Sequence, residues 1–193
     1  MWLDKYKVQV PEGVSGVWRV ERFTVSESDE KMERLHSMFN GGRYVPADTY
    51  TWLKRSSYTI MSDTPDEIRD HLGAINKACG NVLINGLGLG VVLQAMARKP
   101  EVTAITVIEQ SSDVIALVAP YYQAMFGDKI NIIQADAYEY KPPKGSRFDV
   151  AWHDIWDDLC TDNLPEMAKL HRKYGRLTDW QGSWGKEICQ RYR

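Results

Sequence analysis

Short apolar runs separated by turn-forming residues dominate the second half of the chain. They lie at residues 82–84, 102–108, 130–133 and 148–153. Runs of this length, bounded by Gly, Pro or Asp, predict buried strands. Helical patterns follow several of these runs, and the alternation continues to about residue 175. This order predicts a Rossmann-like three-layer α/β fold, with a mostly parallel sheet covered by helices on both faces.

The first part of the chain carries a different pattern. Polar and apolar residues alternate at 6–10 and again at 17–25, which predicts a β-hairpin. A helix and then a second hairpin or extended arm are predicted before residue 62. We therefore divide the chain into a small β-rich extension at residues 1–61 and a Rossmann-like, ligand-binding domain at residues 62–193.

Two later helices begin with capping sequences. Thr64, Pro65 and Glu67 predict one helix start, and Asn163 with Glu166 predicts another. Between them, a proline at position 120 is expected to kink or interrupt the helix that contains it. A short terminal helix is expected to follow residue 183.

Composition narrows the classes of protein without identifying one. With 193 residues and 44% hydrophobic content, the chain can bury a core. The formal net charge of −2 argues against a general electrostatic attraction to nucleic acid. No apolar run approaches the roughly 18 residues of a membrane helix, and the first residues lack the apolar core of a signal peptide. We expect a cytoplasmic protein with no membrane partner.

The cysteines and histidines do not suggest a metal site. Cys79, Cys160 and Cys189 show no paired spacing, which is typical of free thiols in a reducing compartment. The four histidines form no ligand-spaced cluster with these cysteines, so no metal is expected. The histidines are His36, His71, His153 and His171.

Glycines or acids stand at the end of each predicted strand of the second region. Because the carboxyl ends of parallel strands share one edge of a sheet, and ligands bind there in α/β folds, we predict that these residues form one site. In chain order they are Gly86, Gly88, Gly90, Glu109, Asp136, Ala137, His153 and Asp154.

The glycine turn predicts a nucleotide-type ligand. Glycines let a ligand approach the backbone, and the helix that follows offers unpaired N–H groups. A glycine-rich turn without a ligand is the alternative interpretation. The dinucleotide fingerprint GxGxxG is not met, because its third glycine position holds Val91. The alternate spacing GxGxG fits a site for S-adenosylmethionine better.

The acids after the second and third strands suit an adenosine. Glu109 lies about twenty residues beyond the glycines, where a carboxylate accepts hydrogen bonds from both ribose hydroxyls. Asp136 is suited to accept from an adenine amino group, and Ala137 leaves room for the ring. A solvated acid at position 109 and a turn-capping Asp136 are the alternatives that the sequence leaves open.

Four segments together resemble the first four motifs of class I S-adenosylmethionine-dependent methyltransferases. They are residues 82–90, 108–109, 134–137 and 148–154. Within that superfamily they look most similar to the polyamine (spermidine) synthase branch, because Ile84 stands where most methyltransferases carry an acid. The resemblance covers roughly residues 80–160. The chain is also similar to a group of short proteins often carried by phages and actinobacteria, a likeness that implies no activity.

The resemblance implies a transferase that uses S-adenosylmethionine, or its decarboxylated form, to move a methyl or aminopropyl group to a small acceptor. It further implies that Asp154 orients an amine acceptor and takes its proton. His153 is an alternative base. Carboxylates beside Trp152 and Trp156 favour an ammonium ligand, although a buried Trp152 and a helix-capping Asp157 explain the same residues.

Some features depart from these families. The segment after the fourth strand is His-Asp-Ile-Trp-Asp, where the polyamine enzymes have an Asp-Ser-Ser-Asp-Pro type, and the Asn/Asp-Pro-Pro-Tyr motif of DNA amino-methylation is missing. After residue 175 there is room for one short strand, at 176–180, so N-terminal strands or a second subunit are expected to cover the sheet edge. These departures favour a homodimer, and a non-catalytic nucleoside-binding or structural protein as the alternative function.

Two further segments are candidates for the rim of the site. Arg43, Tyr44, Tyr50 and Trp52 are candidates for a lid, from composition alone. The segment 61–65 precedes the first helix of the second region and is placed to reach the methionine end of the ligand, although a helix-cap role explains it equally.

Overall fold

The computed structural model describes residues 2–40 and 43–191, which form two β-sheets and the helices around them. The strands are β1 (Gly13–Ser15), β2 (Trp18–Val25), β3 (Asp48–Arg55), β4 (Tyr58–Ser62), β5 (Gly80–Asn85), β6 (Val102–Glu109), β7 (Ile130–Gln134), β8 (Phe148–His153) and β9 (Thr178–Ser183). The α-helices are α1 (Glu27–Asn40), α2 (Pro65–Lys77), α3 (Val91–Ala97), α4 (Ser112–Phe126), α5 (Asn163–Tyr174) and α6 (Lys186–Arg191), and short 3-10 helices lie at Trp2–Tyr6 and Gly127–Lys129.

The second region folds as a five-stranded parallel sheet in the order β7-β6-β5-β8-β9. Successive side chains of a strand point to opposite faces of the sheet. In the central strand β5, Val82 and Ile84 join the core on one face, whereas Leu83 joins the core on the other. Burial on both faces explains why the strands are continuous apolar runs.

Helices cover both faces of this sheet. Side chains of α2, α3 and α4 belong to the larger core, on the face that includes Val82 and Val107. Leu170 and Tyr174 of α5 belong to the smaller core on the opposite face, with Leu83. The predicted three-layer, Rossmann-like α/β architecture is confirmed.

Two details sharpen the sequence-based expectation. Pro120 does not interrupt its helix, because α4 runs from Ser112 to Phe126. The last strand extends further than residues 176–180, because it pairs in parallel with β8 from Thr178 to Ser183.

The N-terminal extension is a four-stranded antiparallel sheet in the order β1-β2-β3-β4, with α1 between β2 and β3. The second predicted hairpin is present as β3 and β4. In the first, the strand at 17–25 is present as β2, but its hairpin partner is β1, and residues 6–10 are not a strand. A 3-10 helix ends at Tyr6, and the extended residues that follow make no ladder in the described structure. Their alternation reflects burial of Val8 and Val10.

The segment that contains Val8 is tied to distant parts of the chain. The Val8 N–H donates to the buried carboxylate of Asp63 at 3.0 Å, and the Thr51 N–H donates to the same group at 2.6 Å. Gln94 Nε2, on α3, donates to the Lys7 carbonyl oxygen at 3.1 Å. These contacts fix the N-terminal segment against both the antiparallel sheet and α3.

The antiparallel sheet does not extend the parallel one. Among the described residues, neither edge strand of the parallel sheet, β7 or β9, pairs with an N-terminal strand, so the expected cover by N-terminal strands is wrong. Cover by a second subunit stays a prediction. The antiparallel sheet packs across α4 instead, where Ser15 Oγ donates to Asp113 at 2.7 Å. Val20 and Leu53 lie in the same core as Val82, so hydrophobic packing crosses the proposed boundary between residues 61 and 62. That boundary stays a prediction.

Within residues 2–40 and 43–191, the helices are all too short or too polar to cross a lipid bilayer.

Candidate functional site

A cavity of about 530 Å³ opens at the carboxyl end of the parallel sheet. One side, which we call the strand-end wall, consists of residues that follow the parallel strands: Gly86, Gly88, Glu109, Asp136, Ala137 and Asp154. A second side, the N-terminal wall, consists of residues that precede β5: Trp18, Leu53, Arg55, Met61, Glu67 and His71. The loop between β8 and α5 completes the cavity with Ile155, Trp156 and Asp157.

The three glycines of the turn have different surroundings. All have positive φ values, of 100° at Gly86, 49° at Gly88 and 75° at Gly90. A Cβ atom would lie 1.8 Å from the Asp154 carbonyl oxygen at Gly86, and 2.1 Å from a ring carbon of Tyr122 at Gly90. Gly86 and Gly88 line the cavity, whereas Gly90 does not. Glycine is therefore required at these positions by protein packing as well as by any ligand.

Met61 covers the glycine turn. A Cβ atom at Gly88 would lie 2.1 Å from Met61 Sδ. The Leu89 N–H donates to the same sulfur at 2.9 Å. The thioether thus already accepts a hydrogen bond from one of the backbone N–H groups that the sequence predicts for a ligand. Met61 also forms part of the cavity surface.

Glu109 is held in place by backbone amides. Its Oε2 accepts from the Leu87 N–H at 2.9 Å, and its Oε1 accepts from the Ser111 N–H at 2.8 Å. Each carboxylate oxygen has a further lone pair. The side chain lines the cavity, so it is oriented to accept hydrogen bonds from a ligand there.

Asp136 and Ala137 lie on the same side of the cavity. Asp136 Oδ1 accepts from the Tyr138 N–H at 2.7 Å, which is the turn-capping role that the sequence allows. Asp136 also lines the cavity, beside the apolar side chains of Ile108, Ala135 and Ala137. A flat heteroaromatic ring suits this combination of apolar surface and one acceptor.

Asp154 follows β8 directly and reaches the cavity. Its backbone N–H donates to the Asn85 carbonyl oxygen at 2.8 Å, which fixes the turn next to Gly86. About a fifth of the side chain, 21%, is exposed. Burial, reinforced by the nearby carboxylates of Glu67 and Glu109, raises the pKa of Asp154 to about 8.

His153 is placed away from Asp154, although the two are neighbours in sequence. It is not part of the cavity lining. Its Nδ1 lies 2.7 Å from Asn85 Nδ2, which can only donate, and its Nε2 lies 3.1 Å from the Gln181 side-chain oxygen. Burial lowers the pKa of His153 to about 4. Both ring nitrogens therefore have partners, and the structure does not bring His153 into the site.

Glu67 reaches the cavity from α2, and the sequence did not indicate this. The expected capping box is not formed, because Thr64 makes no side-chain cap bond. The Glu67 carboxylate accepts from both the N–H and the hydroxyl of Ser62, at 2.6 Å each. Burial raises the pKa of Glu67 to about 7.

His71 lies four residues further along α2 and also lines the cavity. Its Nε2 lies 3.8 Å from Asp154 Oδ2. Within the part of the chain that the structure describes, neither ring nitrogen has a hydrogen-bond partner. Glu67 and His71 are four residues apart, so they lie on one face of α2. This spacing is the feature of the sequence that could have indicated that the two side chains reach the same place.

The N-terminal sheet reaches the cavity with residues other than the four that were candidates for a lid. Arg43, Tyr44, Tyr50 and Trp52 are not part of the lining, and Trp18, Leu53 and Arg55 are. Arg55 extends to Asp157, with 2.5 Å between the guanidinium nitrogen and the carboxylate oxygen. This ion pair connects the N-terminal wall to the loop after β8.

The tryptophans of the later chain are divided between core and cavity. Trp152 is buried in the larger core, whereas Trp156 and Trp184 line the cavity. Trp156 Nε1 donates to Glu166 at 3.0 Å. The buried position of Trp152, which the sequence left open, is therefore present.

Among residues 2–40 and 43–191, no group of three or more His, Cys, Asp or Glu side chains is arranged to hold a metal ion.

Comparison with known proteins gives similar structures only. No protein-family model and no curated protein matches the chain. The CcbJ methyltransferase from Streptomyces caelestis is 17% identical, with 59% of this chain and 45% of that chain covered and a TM-score of 0.47. The [4+2]-cyclase SpnF is 19% identical, with coverage of 60% and 42% and a TM-score of 0.45. The N-terminal domain of EvdMO1 with SAH bound is 18% identical, with coverage of 58% and 45% and a TM-score of 0.43. The matched region spans less than half of each of these chains.

Proposed function

We propose that this protein binds an adenosyl-sulfonium compound, S-adenosylmethionine or its decarboxylated form, and transfers a methyl or aminopropyl group to a small acceptor. One observation carries the proposal. Three acids that follow different parallel strands, Glu109, Asp136 and Asp154, line a single cavity beside the glycine turn. Sites at the carboxyl edge of a parallel sheet bind nucleoside ligands in this way.

The residues present fit the nucleoside part of such a compound. Glu109 is oriented by two amides and retains lone pairs for ribose hydroxyls. Asp136 and Ala137 offer an acceptor beside apolar surface for the adenine. The sulfonium end would rest near Gly86, Gly88 and the Met61 thioether. When bound, the compound supplies a carbon activated by positively charged sulfur.

The charges around the cavity favour cationic ligands. Its carboxyl groups outnumber its basic groups, and the arginine among the lining residues, Arg55, is already paired with Asp157. A sulfonium and an ammonium are both attracted to such a surface. A free carboxylate on the ligand finds no unpaired arginine or lysine among the described lining residues. The excess of carboxyl groups over free basic groups in the cavity supports the decarboxylated cofactor and an amine acceptor.

Asp154 suits the acceptor side of the reaction. An ammonium must lose a proton before its nitrogen can act as a nucleophile, and a carboxylate both attracts the cation and takes the proton. Asp154 has a pKa of about 8 in the free protein. A bound ammonium stabilises the ionised form and lowers that pKa. The group is thus placed to hold the proton near neutral pH.

Isothermal titration calorimetry tests the proposal. We expect binding of S-adenosylmethionine, its decarboxylated form, S-adenosylhomocysteine or 5′-methylthioadenosine, and the tightest binding with the decarboxylated compound. If none of them binds at millimolar concentration, the nucleoside site does not exist. Binding without transfer to any small amine, thiol or hydroxyl acceptor would identify the non-catalytic alternative. Retained transfer in an Asp154→Ala variant would remove the role given to Asp154.

A further inference from the structure

His71 is an unusual buried residue in this molecule. Its side chain is only 2% exposed, and both ring nitrogens lack partners among the described residues. The other histidines of the parallel-sheet region have partners: His153 contacts Asn85 and Gln181, and His171 contacts Ser183. A buried polar group without a partner destabilises the folded protein. An unpaired imidazole at the cavity surface therefore indicates a partner that arrives with a ligand or a small movement.

The nearest candidate for that partner is Asp154. The Nε2 of His71 and Oδ2 of Asp154 are 3.8 Å apart, so an approach of about 1 Å would form a hydrogen bond. The Asp154 carboxyl accepts no hydrogen bond from the residues that the structure describes. The edge of the His71 ring packs against Trp152, with 6.0 Å between the ring centroids, and this contact limits its rotation.

The charged groups that shift the pKa values of this pair are carboxylates. They are Glu67 and Asp70 on α2 and Glu109 at the end of β6. Asp70 is paired with Arg43 at 2.7 Å, so Glu67 and Glu109 are the carboxylates that crowd Asp154. Crowded carboxylates disfavour ionisation of Asp154 unless a donor or a cation compensates. The neutral imidazole is the nearby group that can donate a hydrogen bond without introducing a charge.

We propose that His71 is a positioning residue for Asp154, and that an alkylammonium group of the acceptor binds against Asp154 and Glu67 while His71 donates its Nε2–H to the Asp154 carboxylate. The assignment of this ammonium as the acceptor rests on the proposed function. The hydrogen bond and the ammonium subsite stand on the local geometry alone.

The proton step balances within these groups. One N–H bond of the ammonium breaks, an O–H bond forms on Asp154, and the nitrogen keeps the electron pair. His71 donates to the carboxylate before this step and holds the carboxyl oriented toward the nitrogen. It neither gains nor loses a proton, which agrees with its lowered pKa of about 4.

The first test needs no ligand. Imidazole ¹⁵N and ¹H NMR signals of His71, assigned with a His71→Gln variant, are followed in the free protein from pH 6 to pH 9.5. Ionisation of Asp154 should fix the Nε2–H tautomer and move the bonded proton downfield, in one transition. The transition should be missing in Asp154→Asn. An unchanged transition in Asp154→Asn, or identical His71 signals in the wild type and Asp154→Asn at pH 9.5, would overturn the hydrogen bond.

The second test uses butylamine as the probe at pH 7. We expect the amine to move the His71 signals in the same direction as raised pH does. Calorimetry should show amine affinity about tenfold lower in His71→Leu, which has no donor, and within about threefold of wild type in His71→Gln. Equal affinity in wild type and His71→Leu, or no amine binding to the wild type, would refute the subsite.

These results are independent of the nucleoside titrations. Failure of all nucleosides to bind would leave the His71 measurements unaffected. Nucleoside binding with unresponsive His71 signals would remove this inference alone. If His71→Leu does not fold, the tautomer transition and its loss in Asp154→Asn still decide the question.

Discussion

The strand-end wall and the N-terminal wall enclose the same cavity but are held in different ways. On the strand-end wall, Glu109 and Asp136 are fixed by amides that lie two residues further along the chain, at Ser111 and Tyr138. On the N-terminal wall, Arg55 depends on Asp157, 102 residues away. The first wall is a product of local turns at the ends of a buried sheet. The second wall exists only when distant parts of the chain are assembled.

This difference assigns different tasks to the two walls. Local turns on a rigid sheet suit the precise orientation of a nucleoside. Breaking exposed long-range contacts costs less free energy than opening a buried core. We therefore expect the strand-end wall to determine ligand identity and the N-terminal wall to control ligand entry and the acceptor. Substitutions that affect one wall and spare the other test this division.

The largest effect is expected for Gly90→Ala in the glycine turn. The new Cβ would lie 2.1 Å from the ring of the buried Tyr122, and the backbone has a φ of 75°. Left-handed strain and overpacking together should cost about 4 kcal/mol. Urea denaturation monitored by tryptophan fluorescence measures the loss.

Gly145→Ala is the control for that substitution. Gly145 has a φ of 89°, and nothing lies within 4 Å of the added Cβ. It shares the positive φ and lacks the clash, so it should cost about 1–2 kcal/mol. Equal losses in the two variants would show that the Tyr122 contact does not constrain the turn.

The next largest effect concerns pH and Asp154. The pKa of Asp154 rises from its ordinary value of 3.8 to about 8 on folding. The folded state then binds more protons than the unfolded state between these values, so this carboxyl lowers stability as pH rises from about 4 to about 8. Asp154→Asn should therefore become progressively more stable than wild type across that range, with no further change above it.

Urea denaturation of both proteins at pH 5 and pH 8 measures this difference. We expect the difference in unfolding free energy between the two proteins to grow by about 2 kcal/mol between pH 5 and pH 8. A single fully shifted carboxyl would contribute at most about 1.4 kcal/mol per pH unit. The expected value is smaller because water reaches the 21% of the Asp154 side chain that is exposed. His153 and His171, with pKa values lowered to about 4, act in the opposite direction in both proteins. The exposed Asp128→Asn is the control, and a pH-independent difference for Asp154→Asn would contradict the expected pKa.

A smaller effect is expected for Glu109→Gln on nucleoside binding. The amide keeps one acceptor oxygen but presents an NH₂ group to one of the two N–H donors, at Leu87 or Ser111. Loss of hydrogen bonds to a charged group should weaken 5′-methylthioadenosine or S-adenosylhomocysteine about tenfold or more in calorimetry. Glu101→Gln, where half of the side chain (51%) is exposed, is the control. Unchanged affinity in Glu109→Gln would separate the ribose from this carboxylate.

The smallest effect on stability is expected for Arg55→Ala. Both partners of the Arg55–Asp157 ion pair are 45% exposed, so its loss should cost less than about 1 kcal/mol. Ligand dissociation, measured by stopped-flow fluorescence, should nevertheless become faster, because the pair joins the two sides of the cavity. Arg147→Ala, which breaks a more exposed pair with Asp179 away from the cavity, should leave dissociation unchanged. Equal rates in all three proteins would show that the N-terminal wall does not control release.

The two walls also differ in how far the sequence predicts them, and the strand-end wall is the one that could be predicted. Gly86, Glu109 and Asp154 could be placed together from sequence because parallel strands end at one edge of a sheet. Successive side chains of a strand point to opposite faces, so Trp152 and His153 point in opposite directions. The same alternation could have shown from the sequence that His153 and Asp154 do not share one site. The turn after the strand then brings only Asp154 into the cavity.

The N-terminal wall could not be predicted in the same way. Met61 belongs to the segment 61–65 that the sequence offered as a rim candidate, and it does line the cavity. His71 reaches the cavity because α2 lies beside the glycine turn, and the spacing of Glu67 and His71 indicates only a shared helix face. Residues 6–10 show the opposite error, since alternation there predicted a strand, whereas burial of Val8 and Val10 explains it without one. Patterns indicate which side chains are buried, but the partner that buries them is set by tertiary packing.

The attachment of Lys7 to α3 has a consequence for synthesis on the ribosome. Gln94 is translated 87 residues after Lys7 has been added. At ordinary elongation rates this interval lasts on the order of ten seconds. Until α3 has left the exit tunnel, Leu3, Val8 and Val10 lack the part of their core that α3 and the parallel sheet supply, and the nascent chain exposes them in part. We expect chaperones that bind apolar segments to contact this protein early in translation and to release it once the parallel sheet begins to form.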